Sequence, residues 1–303
     1  MSKSPGWIEW TLLIALGVIW GASFLGVTLA LEGFPPFTIA AIRIALGAVA
    51  LLAFSFALGH GLPDWRAPQG PRIWLHALGF ALFTNVVPFS LLAWGQQSVT
   101  SGFAGITMAV VPLLTLPLAH LLVPGERMTP MKLFGFAVGF AGVVLLIGFE
   151  AFASSGADLE TLARLACVGA AMCYAIGSII TRLCPPVPLL AYSAAGLGMG
   201  ALLAVPLALW VEGWPAGAGW RPLLAVVYLG LLPTALATVM LVRVITAAGP
   251  VFMMQVNYMV PVWAVVFGMT LLGETLPPSF FGALVLILAG LALARAPARR
   301  FRP

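Results

Sequence analysis

Apolar residues run along this chain in long, nearly unbroken stretches, separated by short polar gaps rich in proline and glycine. A helix rises about 1.5 Å per residue, so about 20 apolar residues cross the roughly 30 Å hydrocarbon layer of a bilayer. The pattern predicts ten such helices, at roughly 9–30, 36–58, 72–94, 100–123, 130–149, 162–182, 188–211, 221–243, 248–272 and 278–296. Pro35-Pro36, Pro63, Pro124-Gly125, Pro185-Pro186, Pro215 and Pro277-Pro278 punctuate the gaps. A transmembrane barrel would alternate polar and apolar residues along each strand, which these stretches do not. The first stretch is too long and too rich in Trp for a cleaved signal peptide, and reads as a retained helix.

Composition narrows the class. Of 303 residues, 62% are hydrophobic and 8% charged, with a mean hydropathy of +1.09. Soluble domains carry about 25% charged residues, and disordered chains need low hydrophobicity and high charge, so both classes are excluded. The formal charge of +5 is unevenly spread. With the N-terminus in the cytoplasm, Lys3, Arg66, Arg72, Arg127, Lys132, Arg182, Arg243, Arg295, Arg299, Arg300 and Arg302 fall inside, and only Arg164 and Arg221 outside. This positive-inside asymmetry places both termini in the cytoplasm and explains the basic charge without nucleic acid. Cys167, Cys173 and Cys184 read as small hydrophobes, with no C-x-x-C and no nearby His. No zinc-ligand spacing, nucleophile–base set or phosphate loop appears, so neither an enzyme nor a metal or cofactor site is expected.

The two halves of the chain resemble each other. "VVPLLTLPLAHLLVPGERMTP" followed by "FGFAVGFAGVVLLI" is echoed by "MVPVWAVVFGMTLLGETLPP" followed by "FFGALVLILAGLALA". Pro112 precedes Glu126, and Pro261 precedes Glu274, at nearly the same spacing. The expected domains are two five-helix repeats, 9–149 and 162–296. Five is odd, so the second copy is inverted in the membrane, a common plan of secondary transporters with the substrate site between the halves. Glu126 then lies on the cytoplasmic side and Glu274 on the outer side.

On these motifs the chain resembles the drug/metabolite transporter superfamily, EamA type, whose members carry two copies of a five-helix unit. The resemblance rests on "WGASFLGVTLA", on "PPFTIAAIRIALGA" containing Arg43, on the paired Pro…Gly-Glu segments and on "VRVITAAGPVFMM" before Pro261. It implies an all-α, ten-helix protein of the bacterial inner membrane that exports amino acids or similar small metabolites by alternating access. Uptake of a vitamin or other metabolite, or a membrane protein without transport activity, are the alternatives. Its partners are a small solute and the lipid bilayer, and it is expected to be a monomer. Helix 1 has no carboxylate between Trp10 and Leu31, unlike the small multidrug-resistance relatives that use a central Glu for proton exchange. Sugar-phosphate relatives need several cations, and only Arg43 lies well inside a span here.

Charged residues within a bilayer cost about 2.5–3.5 kcal/mol on insertion scales, so Arg43 needs a reason. It either snorkels outward or pairs with Glu32, or it faces a cavity and attracts a carboxylate. Its counterpart in the second half is Ser193. Glu126 and Glu274 are expected to favour the N-termini of the helices that follow them. His76 and His120 can titrate near neutral pH but lack acidic sequence neighbours. Asn85, Phe89, Leu92 and Gln96 share one helical face by spacing, as do Tyr174, Ser178 and Thr181. With Trp20, Ser23, Arg43, Tyr228, Gln255, Tyr258 and Trp263, the residues Asn85, Phe89, Gln96, Tyr174 and Ser178 form the candidate substrate-binding set. Breaks at Pro88, Pro112, Pro233 and Pro261 would free carbonyls beside it. Gly17, Gly21, Gly135, Gly139 and Gly142 read as helix-packing positions.

Overall fold

A computed structural model describes residues 6–147, 159–215 and 217–295. Among these, every regular element is helical. Eight helices are long and apolar enough to cross a membrane: α1 (Trp7–Leu31), α2 (Pro36–Ala57), α3 (Gly70–Gly95), α4 (Ser101–Leu122), α5 (Pro130–Ile147), α6 (Leu159–Leu183), α7 (Leu189–Glu212) and α8 (Trp220–Ala248). Two shorter apolar helices follow, α9 (Val256–Leu271) and α10 (Pro278–Arg295). The chain is an all-α, multi-pass membrane protein. The end of the fifth predicted helix, most of the 150–161 gap and the terminal basic residues lie outside the described residues.

The predicted ninth helix does not begin at 248. α8 runs on to Ala248, Gly249 turns the chain at φ +86°, and a single turn, Pro250–Met253, precedes α9. Glycine takes a positive φ without steric cost, and Pro250 has no N–H to continue the α8 ladder. The boundary expected between 243 and 248 thus falls a few residues later, and unbroken apolarity concealed the second interruption after Met253.

Proline acts differently at each expected interruption. α3 widens into a π turn at Ala81–Val86, just before Pro88, and α8 does so at Leu231–Leu236, which contains Pro233. Each π turn follows eleven α-helical residues, Gly70–Phe80 and Trp220–Gly230. α4 tightens to a 3₁₀ turn at Met108–Val110 before Pro112, whereas Pro261 sits inside α9.

The helices pack in pairs that join the two halves: α5 with α10, α2 with α7, α1 with α9 and α3 with α6. α5 and α10 approach most closely, because a Cβ on Gly135 would strike the backbone of Gly290 and Ala294. Small residues let helix backbones meet where hydrocarbon supplies no hydrophobic drive between them. Gly21 similarly makes room on α1 for Trp263 of α9.

Carboxylates fasten one end of the bundle. Glu212, ending α7, accepts the N–H groups of Phe37 (3.0 Å) and Thr38 (2.7 Å) and the Thr38 hydroxyl (2.8 Å). Glu274 accepts the N–H groups of Ser101 (2.7 Å) and Gly102 (3.0 Å). Both satisfy orphan donors in the first turn of a helix from the other half. Glu274 therefore caps α4, not α10 as the sequence suggested. Gly268 permits this, because a Cβ there would collide with the folded-back Glu274 side chain.

Glu126 also departs from expectation. It does not cap α5 but pairs with Arg182 at 2.6 Å and Lys132 at 3.5 Å. Two full positive charges outcompete the partial charge of a helix end. The hydrogen bond from Arg182 holds the Glu126 carboxyl below the ordinary carboxylate range, outweighing partial desolvation.

Two outcomes follow from this packing. Gly135→Leu should destabilise the protein by overpacking, by about 1–3 kcal/mol or more. Gly282→Ala, whose Cβ would meet only Leu145 Cδ2 at 3.7 Å, should leave thermal melting in detergent nearly unchanged. For Glu126, a folded pKa below the unfolded value of about 4.3 stabilises the fold above that value, and the gain is lost as pH falls through the folded pKa. The melting-temperature gap between wild type and Glu126→Gln should be full at pH 7 and narrow below about pH 4. A gap independent of pH would remove the carboxylate from this role.

Candidate functional site

A polar side chain inside an apolar bundle must find partners there, because burying it unpaired is costly. Arg43 lies in the first half of α2 and is only 7% exposed. Its Nε donates to Thr234 Oγ1 at 3.0 Å. Thr234 sits in the π turn of α8, where its hydroxyl donates to the Leu229 carbonyl at 2.8 Å, leaving a lone pair aimed at Arg43. Gly47, one turn further along α2, gives Thr234 the room to approach. The guanidinium lies over the Phe89 ring, 3.7 Å from its centroid, a cation–π contact just beyond Pro88 of α3.

Aromatic side chains complete the surroundings. Tyr174 on α6 packs on the same apolar cluster as Phe89, and Tyr228 on α8 packs against α1. Tyr228 donates to the Ile19 carbonyl at 3.0 Å, and Trp20 Nε1 donates to the Pro233 carbonyl at 3.0 Å. Together these residues link α1, α2, α3, α6 and α8. Among the described residues, no carboxylate lies within 4 Å of Arg43. Glu32 pairs instead with Arg221 at 3.7 Å. The burial of Arg43 and this pairing remove both the snorkelling and the Glu32 readings.

The other candidates make contacts of their own. Ser23 donates to Trp20 O (2.7 Å) and Asn85 to Phe80 O (3.3 Å), each on its own helix. Gln96 forms the C-terminal cap of α3 and accepts from the Thr28 hydroxyl at 3.4 Å. Ser178 is exposed and donates to Ala175 O, although Tyr174, one turn away, packs on the cluster that holds Phe89. Gln255 stands at the break before α9. Tyr258 packs on the core beside α1, and Trp263 stacks on Phe267 with centroids 5.5 Å apart. The shared face expected of Asn85, Phe89 and Gln96 assumed an unbroken α-helical period. The π turn at Ala81–Val86 adds a residue to that turn and rotates Asn85 relative to Phe89.

Thr234 and Glu212 escaped the sequence reading. Thr234 was signalled only by its place after Pro233. Glu212 looked like an ordinary polar residue ending an apolar run. Two apolar clefts lie away from this cluster. One, of about 230 Å³, includes Leu113, Phe136, Phe140 and Val143; the other, of about 360 Å³, includes Phe37, Val87, Trp94 and Leu207.

A multi-pass helical bundle with a buried cation, aromatic walls and contributions from both halves has the build of a membrane solute transporter. Comparison with known proteins agrees and supplies the family. The model of the EamA-like transporter family matches residues 7–148 and again 161–296. The chain belongs to the EamA-like transporter family. The "Uncharacterized inner membrane transporter YedA" of Escherichia coli (strain K12) is 30% identical over 269 residues, 87% of this chain and 83% of that protein. The "Aromatic amino acid exporter YddG" of Ancylobacter novellus is 30% identical over 204 residues, 67% of this chain and 68% of that protein. The "Probable terminal-alkyne amino-acid exporter" of Streptantibioticus cattleyicolor is 28% identical over 294 residues, 94% of this chain and 92% of that protein. A solved crystal structure superposes with a TM-score of 0.69 at 25% identity, covering 99% of this chain and 100% of that one.

Proposed function

We propose that this protein is an inner-membrane secondary transporter that exports amino acids or similar small metabolites by alternating access. The observation that carries the reading is the Arg43 cluster: a buried polar and aromatic group in an otherwise apolar bundle, assembled from both halves of the chain. The names of the amino-acid exporters among its relatives support the substrate class. The two halves act as inverted repeats, 9–149 and 162–296, a reading supported by the matching π turns in α3 and α8. Both termini face the cytoplasm. Glu212 and Glu274 then fasten the outer end, and Glu126 lies at the inner end.

The acidic side chains argue against a dedicated proton carrier at the centre. Among the described residues, Glu9, Glu32, Asp64, Glu126, Glu160, Glu212 and Glu274 all stand at helix ends or in connections. A proton-driven exchanger needs a titratable group that both sides reach in turn. Transport should therefore proceed downhill without a pH gradient. Purified protein in liposomes, given a panel of amino acids and related metabolites with and without pH and sodium gradients, tests this. Movement of a solute only under an imposed pH gradient, abolished by replacing Glu126, Glu274, His76 or His120, would overturn the uncoupled reading.

The orientation has a separate check. In a variant lacking Cys167, Cys173 and Cys184, cysteine placed at Gly217, exposed between α7 and α8, should react with a membrane-impermeant reagent in intact cells. Cysteine at Gln69, exposed before α3, should react only after the inner face is opened. The reverse pattern would invert the topology.

A further inference from the structure

Arg43 presents more donors than the protein uses. A guanidinium carries five N–H donors in a planar fork. Here Nε is bonded to Thr234 Oγ1, and one face is covered by Phe89. Neither terminal nitrogen has a hydrogen-bond acceptor among the described residues. These nitrogens are not sealed away: the sole fully buried side-chain polar atom lacking a partner among the described residues is Ser101 Oγ. The fork is fixed at its base, stacked on one face and unpartnered at its tip.

Charge decides what fits that tip. An unpaired cation held away from water is costly, and a bidentate carboxylate is the partner whose geometry matches the fork. A monocarboxylate brings the site to neutrality. A dianion leaves one negative charge with no second cation beside it. An amine adds a second positive charge. The ammonium of a zwitterion would find only neutral acceptors, because the carboxylates among the described residues stand at helix ends or in connections.

The neighbours set the rest of the ligand. The side chains of Tyr174, Tyr228 and Trp20 are aromatic, and the Tyr228 and Trp20 donors are already spent on backbone carbonyls. They offer ring surface in place of further polar contacts, which suits an apolar or aromatic body.

We propose that Arg43, positioned by Thr234 and Phe89, is a carboxylate-binding residue, and that the ligand is an organic monocarboxylate with an apolar or aromatic body, recognised through its carboxylate and not through an ammonium. The inference rests on the transporter reading for its biological use, but the binding site can be tested without transport.

The test uses full-length protein in lipid nanodiscs, with empty nanodiscs as control, and reads ligand-induced thermal stabilisation. The probes share a phenyl body: 3-phenylpropanoate, 3-phenylpropanamide, L-phenylalanine and 2-phenylethylamine. Saturable binding of 3-phenylpropanoate, at least as tight as that of L-phenylalanine and about tenfold or more tighter than the amide and the amine, is expected. Arg43→Gln should weaken 3-phenylpropanoate by about tenfold or more and reduce its advantage over the amide, with partial recovery in Arg43→Lys, which keeps the charge and loses the fork. Should Arg43→Gln not fold, the four-probe comparison on wild type decides. Equal binding of amine and carboxylate, binding of carboxylate unchanged in folded Arg43→Gln, or no carboxylate binding by a protein that transports another solute would each overturn the assignment. Carboxylate binding with no solute movement in liposomes would support the site and overturn the transporter reading.

Discussion

Hydrocarbon neither donates nor accepts a hydrogen bond. Inside this bundle most polar atoms are therefore satisfied by another part of the chain, the terminal nitrogens of Arg43 being an exception, and the cost of failure is several kcal/mol per group. The fold is arranged around that constraint. Helices satisfy the backbone, and serine and threonine hydroxyls turn back to carbonyls of their own helices, as Ser90, Thr115 and Thr238 do. The side chains that cannot close on their own helix then hold helices together: Trp20 on Pro233, Tyr228 on Ile19 and Arg43 on Thr234. The same bonds that join α1 and α2 to α8 thus shape the surroundings of the buried cation.

The helix ends follow a related rule. The first turn of each helix leaves N–H groups without partners, and the end carries a partial positive charge. At one end of the bundle Glu212 and Glu274 supply the missing acceptors across the boundary between halves. At the other end Glu126 is occupied by Arg182 and Lys132 instead. The two Gly-Glu motifs, alike in sequence, therefore hold unlike partners, and the bundle is fastened differently at its two ends.

Much of the architecture was legible in the residues. Spans of about 20 apolar residues and their Pro-Gly boundaries located the helices, because bilayer thickness dictates their length. Arg43 stood out because charge is rare in such spans. Uniform apolarity gave no information on the second break between Met253 and Val256, and the π turns in α3 and α8 disturbed the facing order inferred from a constant period. Asn85 lies within the π turn, whereas Phe89 and Gln96 both lie beyond it, so the spacing argument holds for Phe89 with Gln96 and not for Asn85 with Phe89. Thr234 could not be singled out, since its importance lies in a bond to a residue 191 positions away. The partners of Glu126 and Glu274 were likewise a matter of three-dimensional proximity.

The backbone contact between α5 and α10 carries a consequence for biogenesis. Gly135, Gly139 and Gly142 present α5 to a partner that includes Gly290, near the far end of the chain. Synthesis runs from the N-terminus, so α5 enters the bilayer while nearly half of the protein is still unmade. Until α10 is inserted, its glycine face meets lipid or a temporary occupant such as the insertion machinery. The first half therefore cannot reach its final packing until α10, made long after α5, has entered the bilayer as well.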